Sequence, residues 1–156
     1  MKKIIIALFV IISICITVPV YAQTAKDAYK SLKKVEALTE TNIYGRDYLN
    51  AYAEAKAEVE LYLANPESQK KPALKNSISR ATLAYKWAGN FWASKMSKDK
   101  YIHESEPIYK KIIVDFPEAK ESIKMQGTIQ YNDAIGFMYG VASSELAKAA
   151  KELYKK

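Results

Sequence analysis

The stretch "YLNAYAEAKAEVELYL" (residues 48–63) decides the fold class. Tyr48, Tyr52, Ala55, Val59 and Tyr62 recur at alternating intervals of four and three residues, with Glu, Lys and Ala between them. That period places the rings on one face of an α-helix and wets the other. "LKNSISRATLAYKWAGNFW" (74–92) repeats the device with Leu74, Ile78, Ala81, Tyr85, Ala88 and Trp92. Alanines alternating with large rings at heptad spacing are how two helices interdigitate. The two stripes are therefore read first as the seam between a second and a third helix.

Working outward, the punctuation sets the boundaries. The second helix spans about Arg46 to Ala64: it begins after "NIYG" (42–45) and stops at Asn65–Pro66, where proline restrains the residue before it. Pro72 suits a first helical position, and the third helix runs from there to about Ser97. A first helix covers about Ala25 to Thr41, with Ala25, Ala28, Leu32, Val35 and Leu38 or Thr39 on its apolar stripe. "SKDKYIHESEP" reads as a linker, with Ser105 as the cap of the short helix that follows, "IYKKIIVDF" (108–116). "PEAKESIKM" restarts a helix and Gly127 breaks it. A last helix covers about Ile129 to Tyr154, with Tyr131, Ile135, Met138, Ala142, Leu146, Ala149 and Leu153 in line. Gly136 and Gly140 mark where a neighbour comes close, and no run reads as a strand. The pattern predicts an all-α fold: an antiparallel bundle of about four long helices plus one or two short ones, in a single domain over 23–156.

The N-terminus predicts export. Lys2 and Lys3 precede an unbroken apolar run from Ile4 to Ile12, and Val20 and Ala22 supply the small residues of a cleavage site before Gln23. Residues 1–22 read as a signal peptide, with an uncleaved anchor as the competing reading, against which Pro19 and the cleavage site weigh. Cys15 follows Ile14 rather than a small residue, which disfavours a lipoprotein. Removing 22 of the 156 residues leaves 134, without cysteine, and with no stable membrane span. The expected location is the periplasm or the exterior. Removing Lys2 and Lys3 leaves 22 basic residues against 17 acidic ones, spread singly and in pairs. A concentrated basic stripe with a reading motif is missing, so nucleic acid is not an expected partner.

The chemistry sought is mostly absent. His103 is the only histidine, which excludes paired Glu-x-x-His metal sites. "HESE" (103–106), with Asp99, is too sparse a donor set to predict a metal site over a solvated linker. An enzyme built on His103 with Glu104 or Asp99 would need His103 in a cleft. No Gly-x-Ser-x-Gly turn, phosphate loop or dinucleotide fingerprint occurs, and Glu54 and Glu58 read as a charged outer face. The sequence thus predicts no catalytic residues, no metal and no cofactor. What remains is aromatic: eleven tyrosines outside the signal, with Trp87 and Trp92. Such rings both anchor interfaces and line pockets. Trp87 and Phe91 fall off the strict seam and are the expected contacts for an envelope protein partner. Tyr48, Tyr52, Tyr85 and Trp92 would line a cavity for a small apolar or aromatic ligand between the second and third helices.

"NIYGRDYLNAYAEAKAEVELYL" followed by "AYKWAGNFWASK" resembles small uncharacterised secreted helical proteins of bacteria, a resemblance that implies no activity. "YKKIIVDFPEAKES" (109–122) is similar to the end of a tetratricopeptide helix pair, but the repeat's spaced Trp, Gly, Ala and Pro are missing. The expected function is a non-enzymatic binding or scaffolding protein of the periplasm or cell envelope. The alternative is a carrier of a small apolar or aromatic ligand.

Overall fold

The computed structural model describes residues 24–41, 45–97, 101–122 and 127–155. The proposed signal segment lies outside them, as do Tyr44 and Asp99. The described chain is mostly helical, with one small two-stranded sheet. Helix α1 covers 24–40. Helix α2, Arg46–Ala64, follows Gly45, whose φ of 93° is left-handed backbone that glycine adopts without strain. A 3-10 turn, Pro66–Lys70, succeeds α2, and the Asn65 side chain accepts the amide of Glu67 at 3.0 Å. Helix α3 spans Pro72–Ser97, α4 spans Pro107–Asp115 and α5 spans Ala119–Ser122. Helix α6, Tyr131–Leu153, closes the described chain.

Two segments read as loop or helix are strands. β1 (Tyr101–His103) pairs antiparallel with β2 (Thr128–Gln130), so that Ile102 lies opposite Ile129. Both isoleucines are buried while the residues beside them face solvent. The last helix therefore starts at Tyr131 rather than Ile129, because 128–130 are held in a ladder. Ser105 is not the cap of α4. Glu106 occupies that position, and its carboxylate accepts the backbone N–H of His103 at 2.9 Å.

The core is continuous. The expected stripes are buried at Ala25, Ala28, Leu32 and Val35 of α1, at Tyr48, Ala55, Val59 and Tyr62 of α2, and from Leu74 to Ala88 of α3. Tyr52 and Trp92 lie half-buried at its edge. The seam between α2 and α3 is present, but α3 packs more extensively on α6 than on α2. The two run antiparallel: Arg80 reaches Glu145, Tyr85 meets Tyr139, and Lys95 donates to Asn132. Buried positions on α3 also include Ala84, Trp87 and Phe91. At 100° per residue the buried set covers about half the helix circumference, well beyond the ~100° stripe of a helix with one neighbour.

The glycines divide differently from expectation. A Cβ at Gly136 or Gly140 would meet open space, so neither marks a close approach. The close approach is at Gly89, where a Cβ would lie 3.2 Å from Cε1 of Tyr48. Glycine there lets the Tyr48 ring lie against α3. Among the described residues no helix is long and apolar enough to cross a membrane.

Packing this continuous predicts a sharp contrast between variants. Phe91→Ala, which removes a fully buried ring stacked on Trp87 and tilted against Tyr131, should cost about 3–5 kcal/mol in urea denaturation. Val114→Ala, at a residue 77% exposed, should stay within about 0.5 kcal/mol.

Candidate functional site: an apolar groove between α2 and α3

Trp87 and Phe91, expected as free contact rings, are in the core. Phe91 is fully buried and Trp87 is 6% exposed. The Trp87 indole stacks on Phe91 with centroids 5.4 Å apart, and its Nε1–H donates to Asp115 Oδ2 at 2.9 Å. Phe91 in turn tilts against Tyr131. The rings beyond the heptad seam thus fasten the end of α4 and the start of α6 to α3. They present no surface to a partner.

The other four rings are split. Tyr48, Tyr85 and Tyr139 meet where α2, α3 and α6 converge, with Tyr139 centred 6.5 Å from Tyr48 and 6.4 Å from Tyr85. The Tyr48 hydroxyl donates to the backbone carbonyl of Tyr85 at 2.6 Å, and the Trp92 Nε1–H donates to the Tyr139 hydroxyl at 3.1 Å. Burial pushes the Tyr48 phenol far above its usual pKa, and the neighbouring tyrosines Tyr139, Tyr85 and Tyr52 add to it. Burial does the same to Tyr85, helped by Tyr139 and the Glu40 carboxylate. The Tyr85 hydroxyl has no hydrogen-bond partner among the described residues. Tyr52, half-buried, is raised mainly by burial and then by Glu60.

An apolar groove of about 460 Å³ opens beside this junction. Gly45, Tyr48 and Leu49 of the α2 end form one wall, and Gly89, Trp92, Ala93 and Met96 of α3 form the other. Leu49 is 58% exposed and Met96 85% exposed, so the mouth itself is hydrocarbon. Tyr48 and Trp92 line the groove as a ligand site between these helices requires. Tyr85 and Tyr52 do not line it. Sequence reasoning missed Leu49, Gly89, Ala93 and Met96. Gly89 and Ala93 were the available signal: two small residues four apart, in line with the rings of a helix, cannot fill the space between neighbours.

Two other clusters are structural. The Arg80 guanidinium joins Glu118 and lies 3.5 Å from Glu145, which also receives Lys148 at 2.9 Å. It sits 5.0 Å from the centroid of Phe116. Burial would raise the Glu118 carboxyl, but hydrogen bonds from its own backbone and from Arg80 outweigh it and hold the group below the usual range. The arrangement ties the segment leading into α5 to α3 and α6. His103 is exposed at the end of β1, and among the described residues no group of three or more His, Cys, Asp or Glu could hold a metal ion.

No protein family, no curated protein and no solved structure matches the chain. The reading of the site therefore rests on its geometry.

The tyrosine junction makes opposite predictions for two equal truncations. Tyr48→Phe removes a satisfied buried hydroxyl and should cost about 0.5–1.5 kcal/mol. Tyr85→Phe removes an unsatisfied one and should be neutral or stabilising by about 1 kcal/mol, since an unpaired buried group carries its full desolvation penalty. Urea denaturation at pH 7 separates them. Both phenols have folded pKa values above the unfolded value of about 10. The stability they contribute is complete below pH ~10 and is lost as pH rises beyond it, because the unfolded chain then releases protons that the folded chain keeps. Absorbance titration near 295 nm should show these two phenols ionising only with loss of the fold.

Proposed function

We propose that the chain is an exported, non-enzymatic binding protein, built as an antiparallel helical bundle, that carries a small apolar or aromatic ligand in the groove between α2 and α3. The observation that supports this is the lining: two aromatic rings, two aliphatic side chains and three small residues border about 460 Å³, within the size range of ligand pockets. Exposed Leu49 and Met96 at its mouth are an apolar surface that a monomer gains nothing by leaving in water. The cleavage-site pattern at Val20–Ala22 supports delivery to the periplasm or beyond.

Scaffolding for a second envelope protein is the weaker reading, because the rings once assigned to it, Trp87 and Phe91, are occupied within the core. An enzyme on His103 loses its basis with the histidine exposed at a strand end.

The test is a titration of the purified protein with N-phenyl-1-naphthylamine, a neutral apolar dye whose emission rises on leaving water. Saturable binding is expected. Ala93→Trp, which fills the groove from an exposed position, should weaken it at least tenfold, with the circular dichroism melt unchanged. Equal binding by the variant removes the groove as the site, and no binding by either protein removes the reading.

A further inference from the structure

No side chain bordering the groove carries a charge. The polar atoms on its two ring walls are spent: the Tyr48 hydroxyl donates to the Tyr85 carbonyl, and the Trp92 indole N–H donates to the Tyr139 hydroxyl. Lys95 lies over the Trp92 ring but is held towards α6 by Asn132, and it does not border the groove. Arg46 and Asp47, which follow Gly45, are exposed, opposite in sign and likewise outside the lining. An ionic group laid in the groove would give up water without gaining a counter-charge. A ligand hydroxyl or amide would give up water without a side-chain partner. The larger lining side chains also discriminate among hydrocarbons. The rings of Tyr48 and Trp92 gain more from another ring, edge-on or offset, than from an alkyl chain of equal area. The Met96 thioether, 85% exposed at the mouth, makes favourable contacts with ring edges. Gly89 and Ala93, one turn apart on α3, carry nothing larger than a methyl group that would interrupt a flat face.

We infer that the ligand of this groove is an uncharged, planar aromatic molecule of two or three fused rings, with no hydrogen-bonding group on the part it buries. Its ring faces lie along Gly89 and Ala93, between the ring walls of Tyr48 and Trp92, with an edge at Met96. The volume of about 460 Å³ holds roughly fifteen groups of about 30 Å³, the share of one water in the liquid; that suits the carbons of two or three fused rings. Both walls are already fixed by their hydrogen bonds, so stacking on them orders little further in the protein. This inference rests on the preceding reading of the groove as a ligand site and adds the class of the ligand: aromatic rather than alkyl, neutral rather than ionic.

The experiment is displacement of N-phenyl-1-naphthylamine from the full chain by naphthalene, by its saturated counterpart decalin, by 2-naphthoate and by 2-naphthylmethylammonium, in the native protein and in Met96→Lys and Ala93→Trp. Naphthalene should displace the dye. Decalin, after correction for its transfer from water to alkane, should bind about two- to tenfold more weakly, the scale of one ring contact. Both ions should bind about tenfold more weakly than naphthalene, or worse. Met96→Lys places a cation at the mouth from an exposed position. It should strengthen 2-naphthoate about three- to fivefold, the scale of a partly exposed ion pair. If decalin matches naphthalene, the aromatic assignment fails and the groove stands. If either ion matches naphthalene in the native protein, or Met96→Lys leaves 2-naphthoate unchanged, the neutral assignment fails and the groove stands. If the dye binds and naphthalene does not displace it, the ligand class is wrong. If the dye does not bind, or Ala93→Trp changes nothing, both readings fail together.

Discussion

Helix α3 is the constraint from which the rest of the described structure follows. Its buried residues, from Leu74 through Ala84 and Trp87 to Phe91, occupy about half its circumference, and one helix can cover little more than a ~100° stripe. Several elements must therefore pack on it. Helix α6 supplies a longer contact than α2, which touches it through Tyr48, and the end of α4 is fastened by Asp115 on the Trp87 indole. The charged cluster around Arg80 adds a polar tie between α3, α6 and the residue before α5. Its partly exposed pairs contribute little energy beside the rings.

The groove is a consequence of the same crowding. Where α2 begins, Gly89 on α3 lets the Tyr48 ring approach, and Ala93 one turn later supplies no side chain to fill the space that opens beyond it. Tyr48 could have closed the gap with its hydroxyl end. That hydroxyl instead donates inward to the Tyr85 carbonyl, which fixes the ring as a wall. Trp92 is fixed in the same way by Tyr139. Walls whose rotamers are already locked lose little entropy when a ligand arrives.

Much of this architecture was legible in the sequence because prolines, a left-handed glycine and heptad spacing are local signals. Arg46–Ala64 and Pro72–Ser97 follow directly from Gly45, Pro66 and Pro72. The buried face of each long helix follows from its apolar period. The identity of the covering neighbour does not, because periodicity states that a face is dry and not what dries it. The seam stripe of α3 was accordingly assigned to α2, when α6 takes a larger share than α2. Trp87 and Phe91 were misplaced for the same reason: a wide apolar face shows that more than one neighbour packs there, and not that α4 and α6 of this chain are those neighbours. The strands Tyr101–His103 and Thr128–Gln130 are three residues each, too short for alternation to be read against a helical background. The glycines show the limit most plainly. Gly136 and Gly140 have the spacing of a close contact and make none, whereas Gly89, with no second glycine near it in sequence, has one.

The polar atoms around the groove weigh on what it can do. A catalytic site keeps donors or titratable groups unspent in the resting protein, aimed where charge will develop on the reacting atoms. Here the hydroxyl of Tyr48 and the N–H of Trp92 are both used by the fold itself. Burial also holds the Tyr48 phenol in its neutral form far into alkaline solution, so it offers no base near neutral pH. Lys95, held between the Trp92 ring of α3 and Asn132 of α6, is not among the lining residues.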